Sequence, residues 1–238
     1  MQTNLTWITG AGFPLRFFVV LAAVILLLDG CITRPAPAKS EAKLETAAPG
    51  AAIPLRQAAI ELDGKAVTGW RETDFAGRGE VRAEKDRIVL QMGYMTGITW
   101  TNAFPKTDYE VNLDAMRVDG SDFFCGLTFP VGEAPCSFIV GGWGGGVVGL
   151  SSLDGEDAAN NETTKYLNFE KGRWYHLRLR VTQSSIECWI DEEKMVNIVT
   201  TDRTLSIRSE VEASRPFGIA TWSTTGAVKD IKVRRLKK

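Results

Sequence analysis

Trp143 stands between Gly141 and Gly142 on one side and Gly144, Gly145 and Gly146 on the other, a large ring in a stretch almost bare of other side chains. Such a frame can hold an indole over a groove, where the C–H face of a sugar stacks on it and the glycines let a ligand approach the backbone. A core tryptophan whose glycine neighbours form bulges fits the same residues, and the sequence leaves both readings open. Trp222 and Trp100 are further candidates of this kind.

Carboxylates are the second requirement if such a groove is to do chemistry. Glycoside cleavage calls in most cases for two of them, a proton donor and a nucleophile or base, about 5 to 10 Å apart. Glu110 and Asp114 fall on one strand face, roughly 13 Å apart, and read better as a solvated face. Asp122, at the mouth of the strand leading to Trp143, and Glu162, in a polar loop beside Asn160, Asn161 and Lys165, are the better-placed catalytic pair if that loop folds over the groove. Lys165 would then join the three tryptophans in holding substrate. Turn and loop carboxylates also occur for purely conformational reasons.

Other chemistries find little support. Asp154, Glu156, Asp157 and Asn160 could gather a calcium ion, but their spacing fits no loop template, so no metal or other cofactor is expected. The single histidine, His176, shares its strand phase with Arg178 and Arg180, which predicts an exposed side chain rather than a base. A formal net charge of −1 argues against a nucleic-acid surface. Neither a Ser/His/Asp signature nor a phosphate loop is present.

The elements that must position these residues are strands. Residues 108–150 read as consecutive strands with tight turns: Tyr109, Val111, Leu113 and Ala115 alternate with Glu110, Asn112 and Asp114, the period of two of a half-buried strand. In residues 136–143, Cys136, Phe138 and Val140 share one face, while Ser137, Ile139, Gly141 and Trp143 share the other. A hairpin turn centred near Pro130 and Val131 would set Cys125 opposite Cys136, close enough for a disulfide in an oxidising compartment, with Cys188 left free; two packed thiols are the alternative. Residues 173–199 form the clearest hairpin, with Tyr175, Leu177, Leu179 and Val181 on one strand and Ile186, Cys188 and Ile190 on the next. Many short strands and no convincing amphipathic helix predict an all-β sandwich or jelly roll.

Ahead of this domain, residues 17–28 form an apolar run too short to span a bilayer comfortably and typical of a secretory signal. Leu28, Asp29, Gly30 and Cys31 resemble a bacterial lipobox, with Asp29 departing from the usual small neutral residue. The chain thus divides into a signal and lipobox segment (1–31), a Pro/Ala-rich tether (32–54) and the β-sandwich (55–238). Export and membrane attachment through a lipid on Cys31 follow from that reading; an uncleaved signal anchor is the alternative.

The stretches LDGKAVTGW, DYEVNLDAM, RWYHLRLRVTQSSIECWID and FGIATWSTTGAVKDIKVRRL resemble the domain family named for 3-keto-disaccharide hydrolases. The likeness runs from about residue 62 to 236. It implies a concanavalin A-like jelly-roll sandwich of two antiparallel sheets and work on saccharides, with glycoside hydrolysis as the expected activity and a non-catalytic lectin-like module as the alternative. The turn before the central strand, DGSDFFCGL, departs from the family's glycine-rich, serine-containing pattern, and Asp191, Glu192 and Glu193 replace its usual aspartate-glycine turn. If Cys31 is lipidated, the mature protein begins at that residue and partitions into membranes, and Cys31→Ala releases it. Mass spectrometry finding residues 1–30 intact on exported protein would overturn this.

Overall fold

The computed structural model describes residues 50–237. Cys31 and most of the tether lie outside the described residues.

Period-two burial builds the larger sheet. Tyr109, Val111, Leu113 and Ala115 of strand Tyr109–Gly120 all face the core, as do Tyr175, Leu177, Leu179 and Val181 of Trp174–Val181. The register pairs Leu113 with Leu177, then Leu179 with Cys188 and Val181 with Ile186 on Ser185–Ile190. Inward side chains are therefore aligned from strand to strand. The ten-stranded sheet runs Ala52–Ile53, Val81–Glu84, Ile88–Leu90, Thr224–Arg235, Tyr109–Gly120, Trp174–Val181, Ser185–Ile190, Glu193–Val199; Ala59–Leu62 also pairs with Thr224–Arg235, and Lys65–Thr68 pairs with Ala59–Leu62. Only the pairing of Ala59–Leu62 with Thr224–Arg235 is parallel among the described strands.

A seven-stranded antiparallel sheet packs against it, in the order Lys165–Tyr166, Val147–Ser151, Ala134–Gly142, Cys125–Val131, Gly218–Trp222, Met95–Trp100, Trp70–Glu72. Leu127, Phe129, Phe138, Val140, Ile98 and Ile219 fill the space between the sheets. Burying one such side chain contributes about 1.5–3 kcal/mol, so this shared layer dominates stability. Among the described residues the only helices are two 3₁₀ turns, Leu55–Gln57 and Ser209–Ser214. No described helix is long and apolar enough to cross a membrane.

Two expectations are corrected. Glu110 is not on a solvated face: it is 2 % exposed, with Arg180 at 3.0 Å and Arg234 at 2.8 Å. The two strands flanking Tyr109–Gly120 set those arginines directly beside it. Burial works against the Glu110 charge, but hydrogen bonds from Asn112 and Arg180 and the nearby Arg234 hold its carboxyl below the usual range.

The Cys125–Cys136 disulfide does not form, because the hairpin turn lies two residues further on. Val131 pairs with Ala134, leaving Gly132 and Glu133 as the turn, with Gly132 at φ 61°. Glycine accepts that conformation at the first central position of a two-residue hairpin. Cys136 consequently faces Phe129 and Cys125 faces Val140, roughly 13 Å apart along the strands, beyond the reach of a bridge. Cys125, Cys136 and Cys188 are free and buried. Burial pushes the thiols of Cys125 and Cys136 up to about 12, and burial also raises that of Cys188, with smaller contributions from Cys136 and Glu187. An alkylating reagent near pH 8 is therefore expected to label none of the three in folded protein and all three after denaturation. Recovery of a 125–136 bridge by non-reducing peptide mapping would contradict this register.

Candidate functional site

The outer face of the smaller sheet carries a groove. Ser137 and Ile139 are one residue out of phase with the core residues Cys136, Phe138 and Val140, so they point away from the larger sheet. Their cross-strand partners Ser151 and Gly149 share that face, as do Trp222 and Met95, which pair with each other. Phe123 and Val211 close the sides, and the cavity holds about 240 Å³. Its wall is mostly apolar, with Asp122, Arg208, Glu210 and the two serines as polar points.

Trp143 stands at the rim, 43 % exposed, with its backbone at φ 48°. A bulky residue in the left-handed region costs about 1–2 kcal/mol, so the surrounding structure must impose this conformation. A register shift between Val140 and Gly142 starts the turn. Arg117 then holds it: its Nη2 donates to the carbonyls of Asp122 (3.1 Å), Gly141 (3.1 Å) and Gly145 (2.8 Å). Gly141 sits at φ 81°, where any other residue is strained, and a Cβ there would lie 2.4 Å from that nitrogen and push the guanidinium off its carbonyls. Asp122 adds a second clamp, accepting the Phe123 N–H at 2.7 Å and the Gly144 N–H at 3.1 Å on its two carboxylate oxygens.

Arg117 is in phase with Ala115 and Leu113, and so projects inward from the larger sheet and crosses to the smaller one. Its guanidinium lies 5.1 Å from the Phe124 ring centre and 5.7 Å from that of Phe169. Burial lowers its pKa, while the charge of Asp122 opposes that shift.

The expected site residues divide. Asp122, Trp143 and Trp222 come together at the groove. Trp222 is pinned by its backbone N–H, which donates to the Phe123 carbonyl (3.1 Å), and its ring packs against Tyr94, the ring centres 4.3 Å apart. Trp100 belongs to the core: it shares the inward phase of Ile98, is 0 % exposed and meets Trp70 edge-on at 5.2 Å. Glu162 does not line the groove; Arg203 holds it together with Asp154. Lys165 lies on the edge strand and donates to the Lys194 carbonyl at 2.8 Å. The polar loop does pack over the sheet, but Asn161 does the fastening, its Nδ2 bonding the carbonyls of Leu150, Glu156 and Asp157. Asp154 and Asp157 are taken up by Arg203 and Arg208. Among the described residues no group of three His, Cys, Asp or Glu side chains is placed to hold a metal ion.

Arg208 and Glu210 form the wall that sequence reading missed. They belong to an aperiodic stretch that gives no phase, and only packing brings Ser209–Ser214 across the sheet, where Thr99 Oγ1 donates to the Ala213 carbonyl at 3.0 Å. Arg208 bridges this turn to the polar loop, 2.8 Å from Glu210 and 3.3 Å from Asp157. Its hydrogen bond holds the Glu210 carboxyl below the usual range, and Glu210 in turn raises Arg208.

Two antiparallel sheets packed face to face, with a groove on the outer face of the smaller, define the β-sandwich jelly-roll class. Within it, the chain belongs to the 3-keto-alpha-glucoside-1,2-lyase-like domain family, whose model matches residues 59–234. Its function lies with carbohydrates. Similar solved structures include a carbohydrate-binding module from Bacillus subtilis, at 12% identity over 73% of this chain and 98% of that one, TM-score 0.46. Domain 4 of an extracellular arabinanase from Geobacillus stearothermophilus, solved with arabinotriose, has 12% identity over 70% and 82%, TM-score 0.45. A glycosyl hydrolase family protein from Mycobacterium fortuitum has 8% identity over 69% and 90%, TM-score 0.43. No curated protein matches.

Because Arg117 gathers three carbonyls, Arg117→Met leaves them without a donor and is expected to cost about 2–4 kcal/mol of stability in chemical denaturation. Arg117→Lys recovers only part of that loss, since an ammonium lacks the planar fork. Unchanged denaturation midpoints for both variants would show that the turn holds itself.

Proposed function

We propose that this chain binds a saccharide in the groove between Trp143 and Trp222. The observation that carries the reading is the Trp143 turn: a half-exposed indole is kept in a costly left-handed conformation by Arg117 and Asp122, at the edge of a serine-bearing floor. Strain held in place at a cleft is a pointer to function, and an aromatic face above polar contacts suits a sugar ring. Arg208, the cation of the wall, is already paired with Glu210 and Asp157, which favours uncharged sugars over uronates. In this reading the domain is exported and held at the membrane through Cys31.

Catalysis is the second reading, and family membership favours it. A 1,2-lyase acting on a 3-keto glucoside needs different groups from a hydrolase with two carboxylates. The ketone acidifies the proton on C2; a base takes that proton, the electron pair forms the C1–C2 double bond, and the C1–O bond breaks as the protonated base hands the same proton to the leaving oxygen. One base suffices. Asp122 is held on both oxygens by backbone N–H groups, whereas the partners of Glu210 are side chains that can turn away, Arg208 on Oε1 and Ser209 on Oε2, so Glu210 is the residue of the groove assigned to that role.

Trp143→Gly removes the ring together with its backbone strain. It is expected to weaken glucoside binding by about 1–3 kcal/mol in calorimetric titration while leaving the unfolding curve close to that of the parent. If 3-keto disaccharides are turned over, followed by the ultraviolet absorbance of the unsaturated keto sugar, Glu210→Gln abolishes product and keeps binding, whereas Glu162→Gln changes neither. Binding without product under every condition leaves the module reading alone. A Trp143→Gly protein that binds as tightly as the parent would remove the groove.

A further inference from the structure

Ser151 stands out on the groove floor. Its side chain is 1 % exposed and its Oγ has no hydrogen-bond partner among the described residues. A buried hydroxyl left unmade costs about 1–3 kcal/mol, and native proteins seldom carry one without a reason. The groups around it are otherwise engaged. Ser137, its cross-strand partner, is satisfied by Thr128, the two hydroxyls lying 3.0 Å apart. The Leu150 N–H goes to Thr163 Oγ1 at 2.8 Å, and the Ser152 N–H to the Ser206 carbonyl at 2.7 Å. Register places the Ser151 side chain on the same outer face as Ser137 and Ile139, and all three line the cavity. One unused donor and acceptor therefore sits at the base of a groove whose other floor groups are hydrogen-bonded or apolar.

We propose that Ser151 Oγ is the polar anchor of the groove, hydrogen-bonding one hydroxyl of an uncharged sugar ring that packs against Trp143 and Trp222. This rests on the saccharide reading above and adds to it the residue that fixes the ring's orientation. A serine hydroxyl both donates and accepts, so it matches a sugar hydroxyl in either sense and needs no charge on the ligand. Selectivity arises because a site built to meet a hydroxyl is left unpaired by a ligand lacking it.

The test uses methyl α-glucoside, its 3-keto counterpart and the single-deoxy analogues of the former, titrated into the parent protein, Ser151→Ala, Ser137→Ala and Trp143→Gly. Ser151→Ala removes only an unbonded oxygen, so the unliganded variant should unfold no earlier than the parent. It should nevertheless bind the parent glucoside about 5- to 15-fold more weakly, the worth of one hydrogen bond. One deoxy analogue should bind the parent protein and Ser151→Ala alike, identifying the hydroxyl that Ser151 meets. Ser137→Ala, whose oxygen already serves Thr128, should keep the parent protein's deoxy profile, whatever its own affinity. If Trp143→Gly loses binding while Ser151→Ala retains it in full, the anchor is wrong and the groove stands. If no deoxy analogue equalises the two proteins, the anchor is likewise wrong. Absence of any glucoside binding to the parent protein overturns both the groove and the anchor. Should Ser151→Ala fail to fold, the hydroxyl is structural and the anchor is overturned; Ser151→Thr, which keeps the oxygen, should then fold without altering the deoxy profile.

Discussion

A single guanidinium ties the two sheets together at the groove end of the sandwich. Arg117 follows Tyr109, Val111, Leu113 and Ala115 on the inward side of its strand, so a charge occupies a position where the pattern calls for another apolar residue. Burying a cation is costly unless it is fully hydrogen-bonded. Here the compensation comes from three carbonyls gathered on Nη2 and from two aromatic rings, while the buried Nε has no hydrogen-bond partner among the described residues. The interaction therefore works in both directions: the carbonyls stabilise the cation, and the cation fixes the turn that carries Trp143. Asp122 lies at the same junction, its carbonyl bound by Arg117 and its carboxylate gripping the turn from the other side.

The remainder of the groove follows from how little lies on the outer face of the smaller sheet. Gly97, Ala220, Gly126, Ile139 and Gly149 form one cross-strand row of that face, four of them with a methyl group or less. Phe75 and Phe123 pack directly onto this row, and a Cβ at Gly97 would lie 2.9 Å from Phe75. The polar loop and the Ser209–Ser214 turn settle on either side of it, and what they leave uncovered is the cavity. Shape here is set by the absence of side chains as much as by their presence.

The charges around the cavity are largely committed. Asp122 is a structural clamp, Glu210 belongs to an ion pair with Arg208, and Arg208 is shared with Asp157. That pattern suits a binding site that recognises hydroxyls and ring faces; Glu210 can act as a base only when Arg208 and Ser209 release it. A two-carboxylate hydrolytic mechanism would require a partner that the Glu162 position, drawn off by Arg203, does not supply.

Alternation along single strands made the sandwich legible in the sequence, because inward and outward phases are a local property of a pleated chain. Hence Leu177 and Ile186 point inward as expected, and Ser137 and Ile139 point outward. The family likeness was legible for the same reason, its matching stretches being strand patterns. Register and long-range contacts were not. The Cys125–Cys136 pairing depended on where one turn falls, and a shift of two residues moved the cysteines out of reach. Trp100 and Trp222 looked alike until strand pairing gave each its face. Glu110 acquired its two arginines from strands 70 and 124 residues away. Arg208, Glu210 and the unpartnered Ser151 became site residues only when an aperiodic segment crossed the sheet. Which groups meet at the groove is decided by packing between segments distant in the chain, and no local pattern encodes that distance.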